Sequence, residues 1–211
     1  MSDGKGALLV VSGFSGAGKG TVMKKLLEKY DSYALSISMT TRAPREGERN
    51  GREYFFVDTE TFEQRIRDNK VIEYAKYCDN YYGTPREYVE EQLAKGKDVI
   101  LEIEIQGALK VKELFPDSVL LFIMPPNAQE LYRRLVSRGT ETEEVIKKRM
   151  TRASEEARDI EKYDYIVIND DLDTCVEELH GIVQCVHREA SRNENKICEI
   201  RKQLQELWKG E

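Results

Sequence analysis

What this 211-residue chain lacks narrows its class first. No long apolar run follows its first polar residues, so neither a signal peptide nor a membrane span is expected. Cysteine is sparse: Cys78, Cys175, Cys185 and Cys198 are scattered, with no C-x-x-C spacing. That excludes an obvious disulfide frame or zinc site and suits the reduced thiols of a cytoplasmic protein. Internal repeats and low-complexity linkers are missing too. So is any basic stripe interleaved with stacking aromatics, and no nucleic-acid partner is expected. Net charge is −6, yet arginines gather in residues 42–52 and 133–158, a pattern suited to small phosphorylated ligands. With 34% charged and 40% hydrophobic residues, the chain reads as one soluble domain carrying insertions.

What is present begins with Gly13-Phe14-Ser15-Gly16-Ala17-Gly18-Lys19-Gly20-Thr21. An apolar run, Ala7 to Val11, precedes it as a buried strand, and Val22, Leu26, Leu27 and Tyr30 follow at helical spacing. Strand, glycine turn and helix are the context of a phosphate-binding loop. Main-chain N–H groups and the helix N-terminus then face an anion, and Lys19 adds a point charge. A flexible Gly/Ser turn with a surface lysine is the plain alternative. The residue after Lys19, usually a magnesium-binding Ser or Thr, is Gly20, with Thr21 one place late. Any magnesium is therefore expected on nucleotide oxygens, waters and acidic groups elsewhere.

In chain order, a second strand is expected over 33–38, then a polar loop over 40–51. Strands at 53–57, 71–77 and 80–84, with a helix at 59–68, predict a small antiparallel sheet inserted in the core. A helix over 86–95 ends at Gly96. The core resumes with strands at 98–105, 118–124 and 165–168, and with helices at 128–138 and 143–159, the latter capped by Thr142. From Leu172 onward the tail reads as helical throughout. Its last helix is expected to pack on the domain, with Trp208 as an anchor, or to pair as a coiled coil.

Alternation along Val99 to Ile105 puts Glu102 and Glu104 on one strand face, at the end where a parallel sheet opens its ligand crevice. A solvated edge strand is the alternative. Arg42 and Arg45 lie on the polar loop near Tyr54, a set able to grip a phosphate. Arg134 and Arg138 share a helix face, and Arg149 lies on the next helix, as in a lid over a triphosphate. Individually each arginine also reads as a solvated surface residue.

The loop at 13–21, Ser36-Ile37-Ser38-Met39-Thr40-Thr41-Arg42-Ala43-Pro44-Arg45, Tyr81-Tyr82-Gly83-Thr84, Glu102 to Gly107, Arg138 to Thr142 and Ile168-Asn169-Asp170 together resemble the guanylate kinase family. The likeness runs from about Leu8 to Asp173 and leaves the tail beyond about Val186 uncovered.

The resemblance implies a P-loop α/β fold in three layers: a central parallel sheet, an inserted small α+β lobe binding the nucleoside monophosphate, and a helical lid. The core would comprise 5–38 and 97–190, with the lid at about 134–160. The lobe would be 39–96, and 191–211 a C-terminal helical extension. It also implies transfer of the γ-phosphate of ATP to GMP, and to dGMP, by a monomer or homodimer. A catalytically inactive interaction module of the same family is the rival reading, and another nucleoside monophosphate kinase a second.

By the family's motifs, Gly13 to Thr21, Arg134, Arg138 and Asn169 match ATP-binding positions. Ser38, Arg42, Arg45, Tyr54 and Tyr82 match those that hold the GMP phosphate or line its pocket. Glu73, Thr84 and Glu104 match the guanine readers. Lys19, Arg42, Glu102, Arg138 and Arg149 would carry catalysis, with Mg2+ on ATP and waters and Glu102 the candidate carboxylate contact. Guanine offers N1–H and N2–H₂ to carboxylates and O6 to a hydroxyl, so such a site discriminates against adenine by roughly 10⁴. The family often has Asp where Glu102 and Glu104 stand, so each carboxylate here reaches one methylene further.

Overall fold

Alternate residues of the first strand, β1 (Leu8–Gly13), enter opposite halves of the core, so the strand is buried on both faces. The structure is a computed structural model that describes residues 5–137 and 142–208. After β1 come α1 (Lys19–Lys29) and β2 (Tyr33–Leu35). A second group follows: β3 (Met39–Thr40), β4 (Phe55–Phe56), α2 (Thr59–Arg67), β5 (Val71–Tyr77), β6 (Asn80–Pro85) and α3 (Arg86–Ala94). The chain returns as β7 (Asp98–Glu102), α4 (Ile105–Leu114) and β8 (Val119–Met124). It continues through α5 (Ala128–Ser137), α6 (Glu143–Glu156), β9 (Tyr165–Ile168), α7 (Leu172–Val186) and α8 (Glu194–Trp208).

Five strands form a parallel sheet in the order β2-β7-β1-β8-β9. On one face, Leu9 and Val11 pack with Val22 and Leu26 of α1 and Val176 and Leu179 of α7. On the other, Leu8 and Val10 meet Val89 and Leu93 of α3 and Ala108 and Val111 of α4. These are the three layers of the expected P-loop α/β fold.

Five local expectations need correction. The strand read over 98–105 stops at Glu102, and α4 begins at Ile105. Two glutamates two apart mimic strand period over a short window, while Ile105, Ala108 and Val111 are the buried stripe of a helix that covers the sheet. The second strand is shorter than 33–38, because Ser36 leaves the ladder after donating its N–H to the Ile100 carbonyl at 2.8 Å. The inserted sheet, β4-β3-β6-β5, is mixed: β3 and β4 run parallel, since the polar loop between them is a crossover rather than a hairpin.

The tail is not one helix. Asn193 donates to the carbonyls of His187 (2.9 Å) and Glu189 (2.8 Å), closing the end of α7 and redirecting the chain before α8. That last helix buries no residue, and Trp208 is 81% exposed rather than anchored. The charged and amide residues at 189–196 provide no apolar seam by which it could lie on the domain. A chain ending at Asn193 should therefore keep its unfolding free energy in urea within about 0.5 kcal/mol of the full chain. A larger loss would mean that α8 packs on the domain in solution.

Candidate active site

The loop after β1 turns sharply because Gly16 and Gly18 adopt φ of 98° and 89°, values that other L-residues rarely adopt. A Cβ on Gly18 would also lie 2.5 Å from Asn169 Nδ2. That side-chain amide donates to the Ala17 carbonyl at 2.7 Å and is buried, so β9 pins the loop from below. The Asn169 amide thus serves the loop backbone. Lys19 spans the loop mouth, its Nζ donating to the Gly13 carbonyl at 2.6 Å. Under the loop, Ser12 Oγ donates to the Ile103 carbonyl at 2.7 Å, tying β1 to the residues just past β7.

A cavity of about 490 Å³ opens at these strand ends, with Lys19, Glu102, Glu104, Arg149 and Arg152 among its walls. Parallel pairing sets Val11 beside Glu102, which carries this carboxylate to the same edge as the loop. Arg149 on α6 donates to Ser15 Oγ at 2.5 Å. Arg134 on α5 donates to Glu130 at 2.6 Å and to the Ala17 carbonyl at 3.4 Å. The guanidiniums of Arg133 and Arg134 hold the Glu130 carboxyl down at about 2. Arg138 lies outside the described residues. Glu104 sits at the N-cap of α4 and pairs with Arg152 of α6.

A second cluster forms on the polar loop. The Arg42 guanidinium bonds Glu48 at 2.9 Å and lies 5.4 Å from the centre of the Tyr54 ring. Tyr54 meets Tyr82 edge-on at 6.0 Å. The Arg45 N–H reaches the other Glu48 oxygen at 2.7 Å, so Glu48 links the two arginines. The Arg42 guanidinium and then that N–H hold the Glu48 carboxyl below its ordinary range. Ser38 lies between β2 and β3, its carbonyl accepting the Phe55 N–H at 2.8 Å.

The third group lies within the inserted sheet, on the neighbouring strands β5 and β6, and faces α4. Thr84 Oγ1, buried on β6, donates to Glu73 Oε1 on β5 at 2.8 Å. Burial pushes the Glu73 carboxyl above its ordinary range, while the Thr84 hydroxyl and the Lys110 charge pull it back. A Cβ on Gly107 of α4 would stand 3.3 Å from Glu73 Oε2, so the helix makes room for the carboxylate by lacking a side chain there. Three residues of this architecture, Glu48, Gly107 and Arg152, had no assigned role in the sequence. Arg152 was the most accessible of them, being three residues past Arg149 on the same helix face.

A sequence profile of the guanylate kinase family matches residues 5–186. The chain belongs to the guanylate kinase family. It is 50% identical to a guanylate kinase of Caldanaerobacter subterraneus subsp. tengcongensis, over 94% of this chain and 97% of that one. A guanylate kinase of Clostridioides difficile is also 50% identical, over 92% and 95% of the two chains. The crystal structure of guanylate kinase from Anaplasma phagocytophilum superposes with a TM-score of 0.71 at 34% identity, covering 94% of this chain and 96% of that one. Helix α8 lies past the residues matched by the guanylate kinase profile.

Since the Thr84 hydroxyl favours the charged form of Glu73, Thr84→Val should move the Glu73 titration to higher pH. Carboxyl ¹³C NMR, with Glu73→Gln identifying the resonance, reads this directly. An unmoved or lowered titration would contradict the assigned bond.

Proposed function

We infer that this chain is an ATP:GMP phosphotransferase, passing the γ-phosphate of ATP to GMP to yield ADP and GDP. The observation that carries the choice of acceptor is the Glu73–Thr84 pair. It sets a half-buried carboxylate beside a buried hydroxyl, the two groups that complement guanine N1–H and N2–H₂ and its O6. Adenine lacks the 2-amino group and presents no N1–H, so it would leave the carboxylate unpaired. Arg42, Arg45, Tyr54 and Tyr82, with Ser38 nearby, would hold the GMP phosphate, and dGMP would fit the same contacts. Residues 39–96 would form the acceptor lobe on the core of 5–38 and 97–190.

On the donor side, main-chain amides of 13–21 and Lys19 would cradle the ATP phosphates. Arg134, Arg138 and Arg149 would approach from the region 134–160, acting as a lid, with Asn169 holding the loop in shape. Lys19 and the arginines would neutralise charge on the transferring phosphoryl group, and exclusion of water by the closed lid would prevent hydrolysis. Positioning and charge compensation then carry the reaction without a dedicated general base.

Magnesium fits this donor set only as a companion of ATP. Gly20 presents no hydroxyl, and among the described residues no group of three His, Cys, Asp or Glu side chains could hold an ion. Glu102 would be the protein's carboxylate for a metal-bound water, and the ion would supply charge neutralisation between phosphate oxygens. The reading as a silent interaction module is not favoured. Lys19 lies across an open cavity, and relatives named guanylate kinase match nearly the whole chain.

A coupled ADP-release assay against GMP, AMP, UMP and dTMP should find turnover with GMP far above the rest. Comparable rates with AMP would overturn the acceptor assignment. Lys19→Ala should lower kcat by at least about 10²-fold with the circular dichroism unchanged. Glu73→Gln should raise KM for GMP well beyond any change in KM for ATP; equal increases would remove Glu73 from the guanine site.

A further inference from the structure

Arg149 and Arg152 stand one turn apart on a single face of α6, and they reach different halves of the site. Arg149 touches Ser15 in the phosphate loop, whereas Arg152 Nη2 donates to Glu104 Oε2 at the start of α4. Arg152 is aimed by a second bond, from Nε to Glu156 on its own helix at 2.9 Å. Glu104 is free to answer it, because this N-cap glutamate makes no side-chain bond to the amides of α4. With Oε2 taken by the guanidinium, Oε1 still offers lone pairs to another donor. The pair also stands in the wall shared by the 490 Å³ cavity and a neighbouring one of about 700 Å³ between α6 and the start of α4.

We propose that Arg152 is a positioning residue for the acceptor nucleotide: braced by Glu156, it orients the Glu104 carboxylate toward the guanine edge. This rests on the reading of the chain as a GMP-phosphorylating enzyme. A partly exposed ion pair of this kind adds little to folding. Its consequence lies in where it holds one carboxylate.

Steady-state kinetics on the full-length protein, varying each nucleotide at saturation of the other, test this. Arg152→Ala should raise KM for GMP about fivefold, the size expected for one exposed charge pair, with kcat and KM for ATP within about twofold. Arg152→Lys should recover at least half of the loss. In a Glu104→Gln background, Arg152→Ala should add nothing further. An unchanged KM for GMP, a parallel rise in both KM values, or an undiminished effect in the Glu104→Gln background would each overturn the proposal. Thermal melts of the four variants and the unsubstituted protein separate these outcomes from unfolding, since the pair predicts only a small shift in midpoint. Failure of the unsubstituted protein to phosphorylate GMP would sink the parent reading before any variant is compared.

Discussion

Parallel pairing between β1 and its neighbours is the constraint on which the rest depends. With Val11 set beside Glu102 and Gly13 beside Ile123, the ends of three strands finish at one edge of the sheet. A loop leaving β1 must therefore turn over the same edge that presents Glu102. Lys19, the loop amides and a carboxylate converge there without any long-range device beyond the ladder. The buried Asn169 amide, bonded to the Ala17 carbonyl just past the end of β9, braces the turn from the sheet, while Arg134 and Arg149 reach the same loop from the helices.

At that edge and on the polar loop the charges are arranged as compensated sets. Arg42 is paired with Glu48, Arg134 with Glu130, and Arg152 with both Glu104 and Glu156. A cluster of arginines without ligand would repel itself, and these carboxylates hold each guanidinium in place until an anion competes for it. Glu73 is the exception in kind. It is half-buried beside a hydroxyl rather than a guanidinium; its withdrawal from water holds the carboxyl above the ordinary range although the Thr84 hydroxyl pulls it back, and it is suited to accept hydrogen bonds from a neutral base.

Much of the scaffold was legible in the chain because its signals are local. The strands read over 71–77 and 165–168 have the bounds Val71–Tyr77 and Tyr165–Ile168, and Thr142 caps α6 by accepting from the Val145 N–H. Continuous apolar runs marked the buried strands, and Gly96, at a φ of 76°, ended α3 as expected. Helix α4 escaped because only contact with the sheet tells its short apolar stripe from a strand. The parallel pairing of β3 with β4 escaped because no local signal encodes the return path of a loop. Helix α8 has a regular apolar repeat, yet the turn at Asn193 carries that stripe away from any surface of the domain.

By itself the sequence determined the order of strands and helices, the phosphate loop and the family's ordered motifs, since each depends on neighbours along the chain. Tertiary structure alone decided which residues become partners: Glu48 between two arginines, Gly107 yielding space to Glu73, and Arg152 reaching Glu104. Those pairings join residues from separate elements, and their distances follow from how sheets and helices pack rather than from any spacing in the chain.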